Sequence, residues 1–237
     1  MTKIEWCDMT WNPVWGCLQG CKYCYAAKIA MRFAKSITKK ELDHLGTTMP
    51  GFIFNKIREF KPIFLESNFD RTLPQKPKRI FVNSMSDLAY WELSWHYRVL
   101  EKIIKNIQHD FLFLTKTPEI YLKKQFPVNC WLGVTATTEK EVKKATFILK
   151  KLKGNLTFLS IEPIQEPINT VLIKHINWLI VGAETGNRKD KIIPVNTWLS
   201  DLHQLKFPVF MKNNLRPIWN YRTPLRQEFP LLKGINI

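Results

Sequence analysis

The chain has 237 residues, of which 45% are hydrophobic, and 36 lysine and arginine residues outnumber 20 aspartate and glutamate residues. This length and composition are ordinary for a folded globular protein, and they exclude a small fold that depends on disulfides. The net charge of +16 indicates either a general lysine bias or a polyanionic partner such as nucleic acid.

Neither a signal peptide nor a membrane span is predicted. The first residues lack the apolar core of a signal peptide, and the longest apolar runs, such as 178–183, fall far below the roughly 20 residues that cross a bilayer. The five cysteines are odd in number, and three lie within eight residues, which is typical of metal binding in a reducing compartment. We therefore expect a soluble, cytoplasmic protein with no membrane partner.

The cysteine-rich segment comes early in the predicted order of elements. A short first strand at about 10–15 precedes the cysteines, and a helix at 25–35 follows them. The next segment, 36–78, is basic and proline-rich, and is predicted to be a mostly irregular insertion with a helix near 54–60 and an additional strand near 61–66.

The rest of the chain alternates between strands and helices. Short apolar segments predict strands at 79–83, 111–115, 131–135, 156–161, 178–182 and 209–211, and helical periodicity covers 95–108 and 139–152. This alternation is typical of parallel βα units. Because polar residues follow six strand ends, the pattern favours a full or partial TIM-like (β/α) barrel over an open sheet. We expect one domain over 1–237, with a C-terminal tail at 213–237 that packs through Trp219, Tyr221 and Phe229.

Cys17, Cys21 and Cys24 have the spacing C-x3-C-x2-C. Three thiolates on one loop can hold three corners of a [4Fe–4S] cluster and leave the fourth iron open to another ligand. The alternatives are a zinc site completed by Cys7, Cys130 or a histidine, and a chance grouping. Cys7 and Cys130 lie away from the expected active face, and we interpret both as buried, inert thiols.

The cysteine spacing, with Tyr23 before the last cysteine, resembles the radical S-adenosylmethionine superfamily. The resemblance implies a cluster whose open iron binds S-adenosylmethionine, an electron donor that reduces it, and a 5′-deoxyadenosyl radical that abstracts hydrogen from a substrate.

A closer resemblance covers nearly the whole chain. It rests on IEW (4–6), TWNP (10–13), GC (16–17), CYA (24–26), IFVNSMSDL (80–88), LTK (114–116), WLGV (131–134), LSIEP (159–163), WLIVG (178–182), FMK (210–212) and EFP (228–230). These segments are similar to an uncharacterised phage-type family of the same superfamily, which often occurs beside a three-Cys-motif partner protein. The resemblance implies a barrel of the radical S-adenosylmethionine type and a bacterial or phage-encoded protein.

In the superfamily, strand ends supply the contacts to S-adenosylmethionine. By resemblance, Ser84, Ser86 and Asp87 would bind its amine or carboxylate end, although a helix cap before residues 88–91 explains Ser86 and Asp87 equally well. Tyr23 stands in the cysteine motif and is a further candidate. The other candidates follow later strands: Thr135, Ser160 and Glu162 would bind the ribose or sulfonium region, and Gly182 and Glu184 would border the cofactor.

Lys116 and Lys212 also end strands, where an ammonium group can bind a substrate phosphate or carboxylate. The alternative for each is an ion pair with Glu162 or Glu184. The five histidines are scattered, and we expect His96 and His109 to face solvent.

These features predict a radical enzyme that modifies or repairs a nucleic acid or nucleotide. Two alternatives stay open, namely a radical enzyme acting on a peptide or small metabolite, and a non-catalytic zinc or iron–sulfur protein that binds nucleic acid. The sequence assigns no catalytic residue beyond the cluster ligands.

Overall fold

The computed structural model describes residues 4–48, 50–186 and 188–230. The chain divides into two compact units. The first comprises Met1–Thr115 and Lys124–Trp131, and the second comprises Lys116–Lys123 and Leu132–Ile237.

The first unit combines a three-stranded parallel array with a separate antiparallel pair. Its elements are β1 (Met9–Thr10), β2 (Val14–Trp15), α1 (Tyr25–Leu45), α2 (Pro50–Arg58), β3 (Ile63–Phe64), α3 (Glu66–Phe69), β4 (Arg79–Phe81), α4 (Leu93–Ile104) and β5 (Asp110–Thr115). The parallel array has the order β1-β4-β5, with Met9 opposite Ile80 and Arg79 opposite Asp110. Strands β2 and β3 pair antiparallel, with Val14 opposite Phe64.

The predicted first strand is two strands that belong to different sheets. β1 joins the parallel array and β2 joins β3, and Pro13 lies between them. A proline has no N–H to donate to a strand ladder, so the segment leaves the parallel array after Trp11, whose N–H still bonds Phe81. The additional strand predicted near 61–66 exists as β3, but it pairs only with β2.

Helix α1 is ten residues longer than predicted and takes in the start of the segment predicted to be irregular. Up to residue 35 its buried face is Ala26, Ala30 and Ala34, and beyond that point it is Thr38 and Glu41. Because the buried face becomes polar, the apolar periodicity stops although the helix continues. It ends at Gly46, whose φ of 63° is the left-handed conformation of a helix C-cap.

Glu41 explains why a charged residue is tolerated on the buried face of α1. Its carboxylate accepts the N–H groups of Glu66 and Ser67, at 2.7 and 3.0 Å, at the start of α3. These donors have no partner inside the short helix, so Glu41 caps α3 and fixes α1 against it.

The second unit contains the end of β6 (Cys130–Thr135), followed by α5 (Glu139–Leu149), β7 (Leu156–Ile161), β8 (Trp178–Val181), α6 (Asn196–His203) and β9 (Val209–Met211). The strand order is β6-β7-β8-β9, and β7, β8 and β9 are parallel, with Phe158 opposite Trp178 and Leu179 opposite Val209. All four residues of β8 and all six of β7 are buried, which explains their unbroken apolar sequence.

The parallel strands confirm the predicted α/β class, and the six strands predicted from 79 onward are all present. Two of the three tail residues predicted to pack do so: Phe229 lies 5.5 Å from Trp178 and 5.2 Å from Phe210 between ring centroids, and Trp219 stacks on His203. Tyr221 contacts the ring of Trp219 but is 46% exposed. Residues 231–237 of that tail lie outside the described residues. Within the described part of the chain, none of the helices is long and apolar enough to cross a bilayer.

Candidate metal centre

The cysteine loop begins between two distant segments of the first unit. The N–H of Gly16 donates to the carbonyl of Met85 and the N–H of Cys17 donates to the carbonyl of Phe60, both at 2.9 Å. Gly16 has φ +96°, and a Cβ at this position would lie 2.1 Å from the carbonyl oxygen of Lys61. Only glycine fits this close approach of two backbones, so Gly16 fixes where Cys17 enters the loop.

Two of the three thiols accept a backbone hydrogen bond, one at the end of the loop and one at its start. Cys24 is the N-cap of α1, and its Sγ accepts from the N–H of Ala27 at 3.4 Å. The Sγ of Cys17 accepts from the N–H of Gln19 at 3.4 Å. Because the N-terminus of a helix favours negative charge, this position suits a thiolate ligand at Cys24.

The loop concentrates groups that become negative when they ionise. Burial raises the pKa of the Cys17 thiol to about 12, the N–H of Gln19 partly opposes that rise, and the charges of Asp87, Cys21 and Cys24 raise it further. Burial followed by the charges of Cys17, Asp87 and Cys21 also raises the pKa of Tyr90. A bound cation or cationic cluster would offset this mutual repulsion, because a metal deprotonates the thiols that coordinate it.

The three thiols are the ligand type that an iron–sulfur cluster uses. All three are half-buried rather than sealed in the core. Among the residues that the structure describes, no three Cys, His, Asp or Glu side chains are grouped closely enough to hold one metal ion. A four-iron cluster does not require three ligands around one ion, because its cysteine ligands bind separate iron atoms.

The segment containing Ser84, Ser86 and Asp87 lies beside the cysteine loop, through a parallel bridge between Gly16 and Ser86. Asp87 caps the short 3-10 helix Leu88–Tyr90 by accepting the N–H of Ala89 at 3.0 Å, and it also accepts the hydroxyl of Thr115 at 2.6 Å. The helix-cap interpretation of Asp87 is therefore confirmed.

The two serines of this segment are also hydrogen-bonded. The hydroxyl of Ser84 bonds Asn12 at 3.0 Å, and the hydroxyl of Ser86 accepts from the indole of Trp91 at 3.0 Å. These bonds orient the segment next to the thiols.

Three residues that sequence reasoning missed connect this segment to its surroundings. Tyr25 donates to the carbonyl of Ser84, and Tyr90 donates to the side chain of Gln19, each at 2.9 Å. Asn83 is 2% exposed, and its amide bonds both backbone groups of Leu114. Sequence position could have identified two of them, because Asn83 is a polar residue at the end of an apolar strand and Tyr25 immediately follows Cys24.

The second unit has its own group of strand-end residues, formed by Glu162, Gly182 and Lys212. The ammonium of Lys212 donates to the carboxylate of Glu162, which confirms the ion-pair alternative for Lys212. A Cβ on Gly182 would lie 3.0 Å from the Lys212 side chain and 3.2 Å from that of Glu162. The glycine therefore leaves the space in which the two charged side chains meet.

Glu184 follows the same strand and pairs with Arg188, which sequence reasoning missed. The guanidinium binds both carboxylate oxygens, at 2.8 and 2.9 Å, and the Glu184 side chain is only 4% exposed. The hydrogen bond from Arg188 is the main reason that the pKa of Glu184 lies below its usual value. Arginine is the residue that matches a carboxylate in this two-point geometry.

The remaining candidates have no shared site that the structure defines. Ser160 is 1% exposed and Thr135 is half-buried, both on strands of the second unit. Lys116 contributes to the environment of Glu141: burial alone would raise the pKa of Glu141, but hydrogen bonds from Thr137 and the charge of Lys116 lower it overall. In the first unit, Tyr23 is half-buried within the cysteine loop.

The prediction that His96 and His109 face solvent is wrong. His96 is 2% exposed and His109 1% exposed. His96 bonds the carbonyl of Leu88 at 3.2 Å, and His109 accepts the N–H of Lys78 at 3.1 Å. Both rings occupy core positions, where a backbone group bonds one nitrogen atom of each ring.

Cys7 and Cys130 are 5% and 0% exposed, which confirms that both are buried. Burial raises the pKa of the Cys130 thiol, so this group stays protonated and unreactive.

Comparison with known proteins places the chain in a family without assigning a reaction. No curated protein matches the chain, and no solved structure does. One family model, described as "Protein of unknown function (DUF5131)", matches residues 1–206, which is most of the chain. The chain belongs to this family.

Proposed function

We propose that the protein is a radical S-adenosylmethionine enzyme that holds a [4Fe–4S] cluster on Cys17, Cys21 and Cys24 and modifies or repairs a nucleic acid or nucleotide. The observation that carries the proposal is the cysteine loop itself, where three half-buried thiols and Asp87 lie close enough to raise the pKa of Cys17. The parallel strands of both units are compatible with the partial TIM-like barrel of that superfamily.

The protein's own residues would hold and orient the cofactors. Gly16 sets the entry of Cys17, and the N-terminus of α1 supports negative charge at Cys24. When bound, the cluster supplies an open iron for S-adenosylmethionine and the electron that cleaves it to a 5′-deoxyadenosyl radical. Ser84 and Ser86 lie on the segment beside the loop, and with Asp87 they would hold the methionyl end of the cofactor.

In the second unit, the Glu162–Lys212 pair and the Glu184–Arg188 pair are the polar groups at strand ends that we assign to the cofactor or substrate. A carboxylate in such a pair accepts ribose hydroxyls, and the ammonium of Lys212 binds a phosphate when the pair opens. Thr135, Ser160 and Gly182 belong to the same set of strand-end candidates.

The net charge of +16 supports a nucleic acid as the substrate, because a polyanion is attracted to a surface that is positive overall. We further propose an electron donor and the three-Cys-motif partner protein as partners. A peptide or small metabolite is the competing substrate class.

The test is anaerobic reconstitution with iron and sulfide, followed by incubation with S-adenosylmethionine and dithionite, with single-stranded and duplex nucleic acids added in parallel. We expect about four iron and four sulfide ions per chain, and formation of 5′-deoxyadenosine that nucleic acid stimulates. Cys17→Ala should lose iron and cleavage together, whereas Cys130→Ala, at a buried thiol outside the loop, should retain both.

Two results would contradict the proposal in different ways. Stoichiometric zinc without sulfide, and no cleavage under reduction, would favour the non-catalytic metal protein. Cleavage that only a peptide or small metabolite stimulates would keep the radical chemistry and reject the nucleic-acid substrate.

A further inference from the structure

One face of helix α1 carries a row of four cations, which we call the α1 row: Lys28, Arg32, Lys35 and Lys39. All four side chains are exposed. At 100° per residue they fall within an arc of about 60°, opposite the buried alanines, and at 1.5 Å per residue they extend about 16 Å along the axis. The row starts one turn after Cys24, so it leads directly away from the cysteine loop.

The α1 row is not balanced by acidic partners. Within the described residues, none of these four side chains forms an ion pair or hydrogen bond. Residues 25–61 contain eight lysines and arginines and three acidic residues. Of those three, Glu41 is buried and Glu59 is paired with Lys61. Four unpaired cations on one helix face repel one another, and a chain of phosphates relieves that repulsion.

A shallow cavity of about 370 Å³, largely open to solvent, lies beside the far end of the α1 row. Lys35 and Lys39 line it on α1, together with Thr38, and Phe54 lines it on α2. Asp43 is the acidic residue of its wall. This volume lies near the lower end of the roughly 300–1,000 Å³ range of small-molecule pockets, and its lining of one aromatic ring and two cations suits a nucleobase and its phosphate.

We infer that the α1 row and its cavity bind single-stranded nucleic acid, with the phosphates along Lys28, Arg32, Lys35 and Lys39 and one unstacked base in the cavity beside Phe54. The row is long enough for about five stacked nucleotides of one strand. A duplex would keep its bases paired and out of the cavity. The inference rests on the proposed function for the role of the bound strand as substrate, and the contacts themselves need no cluster.

The experiment measures binding of a fluorescein-labelled 20-nucleotide single-stranded DNA, and of the same sequence as RNA and as duplex, to the full chain between 50 and 300 mM NaCl. Four phosphate contacts predict a slope of log affinity against log salt of roughly −2.8. In Arg32→Gln/Lys35→Gln/Lys39→Gln the slope should become shallower by roughly 2, which corresponds to a loss on the order of a hundredfold at 50 mM salt.

The matched control removes the same charge from another helix. Lys140→Gln/Lys143→Gln/Lys150→Gln changes three exposed lysines in α5 and at its C-cap. This variant should bind the single strand within about twofold of wild type, because salt screens the effect of charges that lie far from the bound strand. Equal losses in the two triple variants would show that binding follows net charge, and would overturn the α1 row as the site.

Phe54→Leu tests the role of the cavity, because it removes the aromatic ring beside which the base would lie. The variant should bind the single strand at least threefold more weakly, with affinity measured at a temperature where urea unfolding shows the variant to be folded. Unchanged affinity in Phe54→Leu would overturn the role of the cavity. Tighter binding of the duplex, or no binding of any strand at 50 mM salt, would overturn the inference as a whole.

Measuring 5′-deoxyadenosine in the same samples keeps the two proposals apart. A wild-type protein that binds single strands through the α1 row but never cleaves S-adenosylmethionine refutes the radical chemistry alone. A protein that cleaves S-adenosylmethionine but binds no nucleic acid refutes the α1 row and the nucleic-acid substrate, and leaves the radical chemistry intact.

Discussion

Replacing Gly16 with alanine should damage both the stability of the first unit and the metal site. A φ of +96° is unfavourable for alanine by about 1–3 kcal/mol. The new Cβ would lie 2.1 Å from the Lys61 carbonyl oxygen, and such an overlap adds about 1–3 kcal/mol if the backbones separate. Separation weakens the hydrogen bonds to Met85 and Phe60, worth about 1 kcal/mol each. Together these effects predict a loss of roughly 4–8 kcal/mol if both hydrogen bonds are lost.

Gly20→Ala is the matched control, because it lies in the same loop and also has a positive φ, +68°. A Cβ added to Gly20 would have no other atom within 4 Å, so the change should lower stability by only about 1–2 kcal/mol through backbone conformation. Urea unfolding of both variants gives the difference in the free energy of unfolding, and iron bound after reconstitution reports on the site.

Gly16→Ala should unfold at clearly lower urea than Gly20→Ala and should bind less iron per folded chain. Equal stabilities in the two variants would show that the contact with Lys61 does not constrain the loop. A destabilised Gly16→Ala protein that still binds full iron would show that the entry of Cys17 does not depend on this contact.

Three other substitutions test separate parts of the structure. Burial lowers the pKa of His96 to about 4, so unfolding takes up a proton between pH 6.5 and 4, and the free energy of unfolding should fall by roughly 2 kcal/mol from pH 7 to pH 5. In His96→Gln this part of the pH dependence should disappear, and a urea midpoint that varies with pH as in wild type would contradict the role of His96. Lys212→Met leaves Glu162, whose side chain is 25% exposed, without its cation and should lower stability by about 1–3 kcal/mol. Adding Glu162→Gln should restore much of that loss in a double-mutant cycle, and additive effects would refute the coupling. Gly133→Ala places a Cβ about 2.3 Å from the Phe158 ring and should lower the melting temperature. Adding Phe158→Leu to that variant should restore part of the loss, and a Gly133→Ala melting temperature equal to that of wild type would argue against this contact.

The sequence predicted the buried strands well because their physical cause is local. Each strand from 79 onward is a short apolar run between polar segments, and burial on both faces produces such a run. The first strand was harder to predict, since the separation of β1 from β2 depends on which distant strand each one meets. Pro13 was the available signal for that boundary.

The other features that the sequence did not predict involve polar residues that are buried or paired. The end of α1 depends on the contact of Glu41 with α3, and the burial of His96 depends on the carbonyl of Leu88. The pairing of Glu184 with Arg188 is local, but it joins two polar groups four residues apart. Hydrophobic periodicity carries no information about such partners. The cysteine spacing, in contrast, is a local pattern, which is why the candidate ligands could be named from the sequence while the residues that shape their loop could not.

The hydrogen bonds of Gly16 and Cys17 also determine when the cysteine loop can reach its native shape during synthesis. Their acceptors are the carbonyl groups of Met85 and Phe60, about 70 and 43 residues further along the chain. During synthesis, which proceeds from the N-terminus at roughly 5–20 residues per second, the cysteines leave the ribosome several seconds before those acceptors exist. The native shape of the loop must therefore form after the first third of the chain has been made, so a cluster that needs this shape would be inserted only after Met85 has left the ribosome.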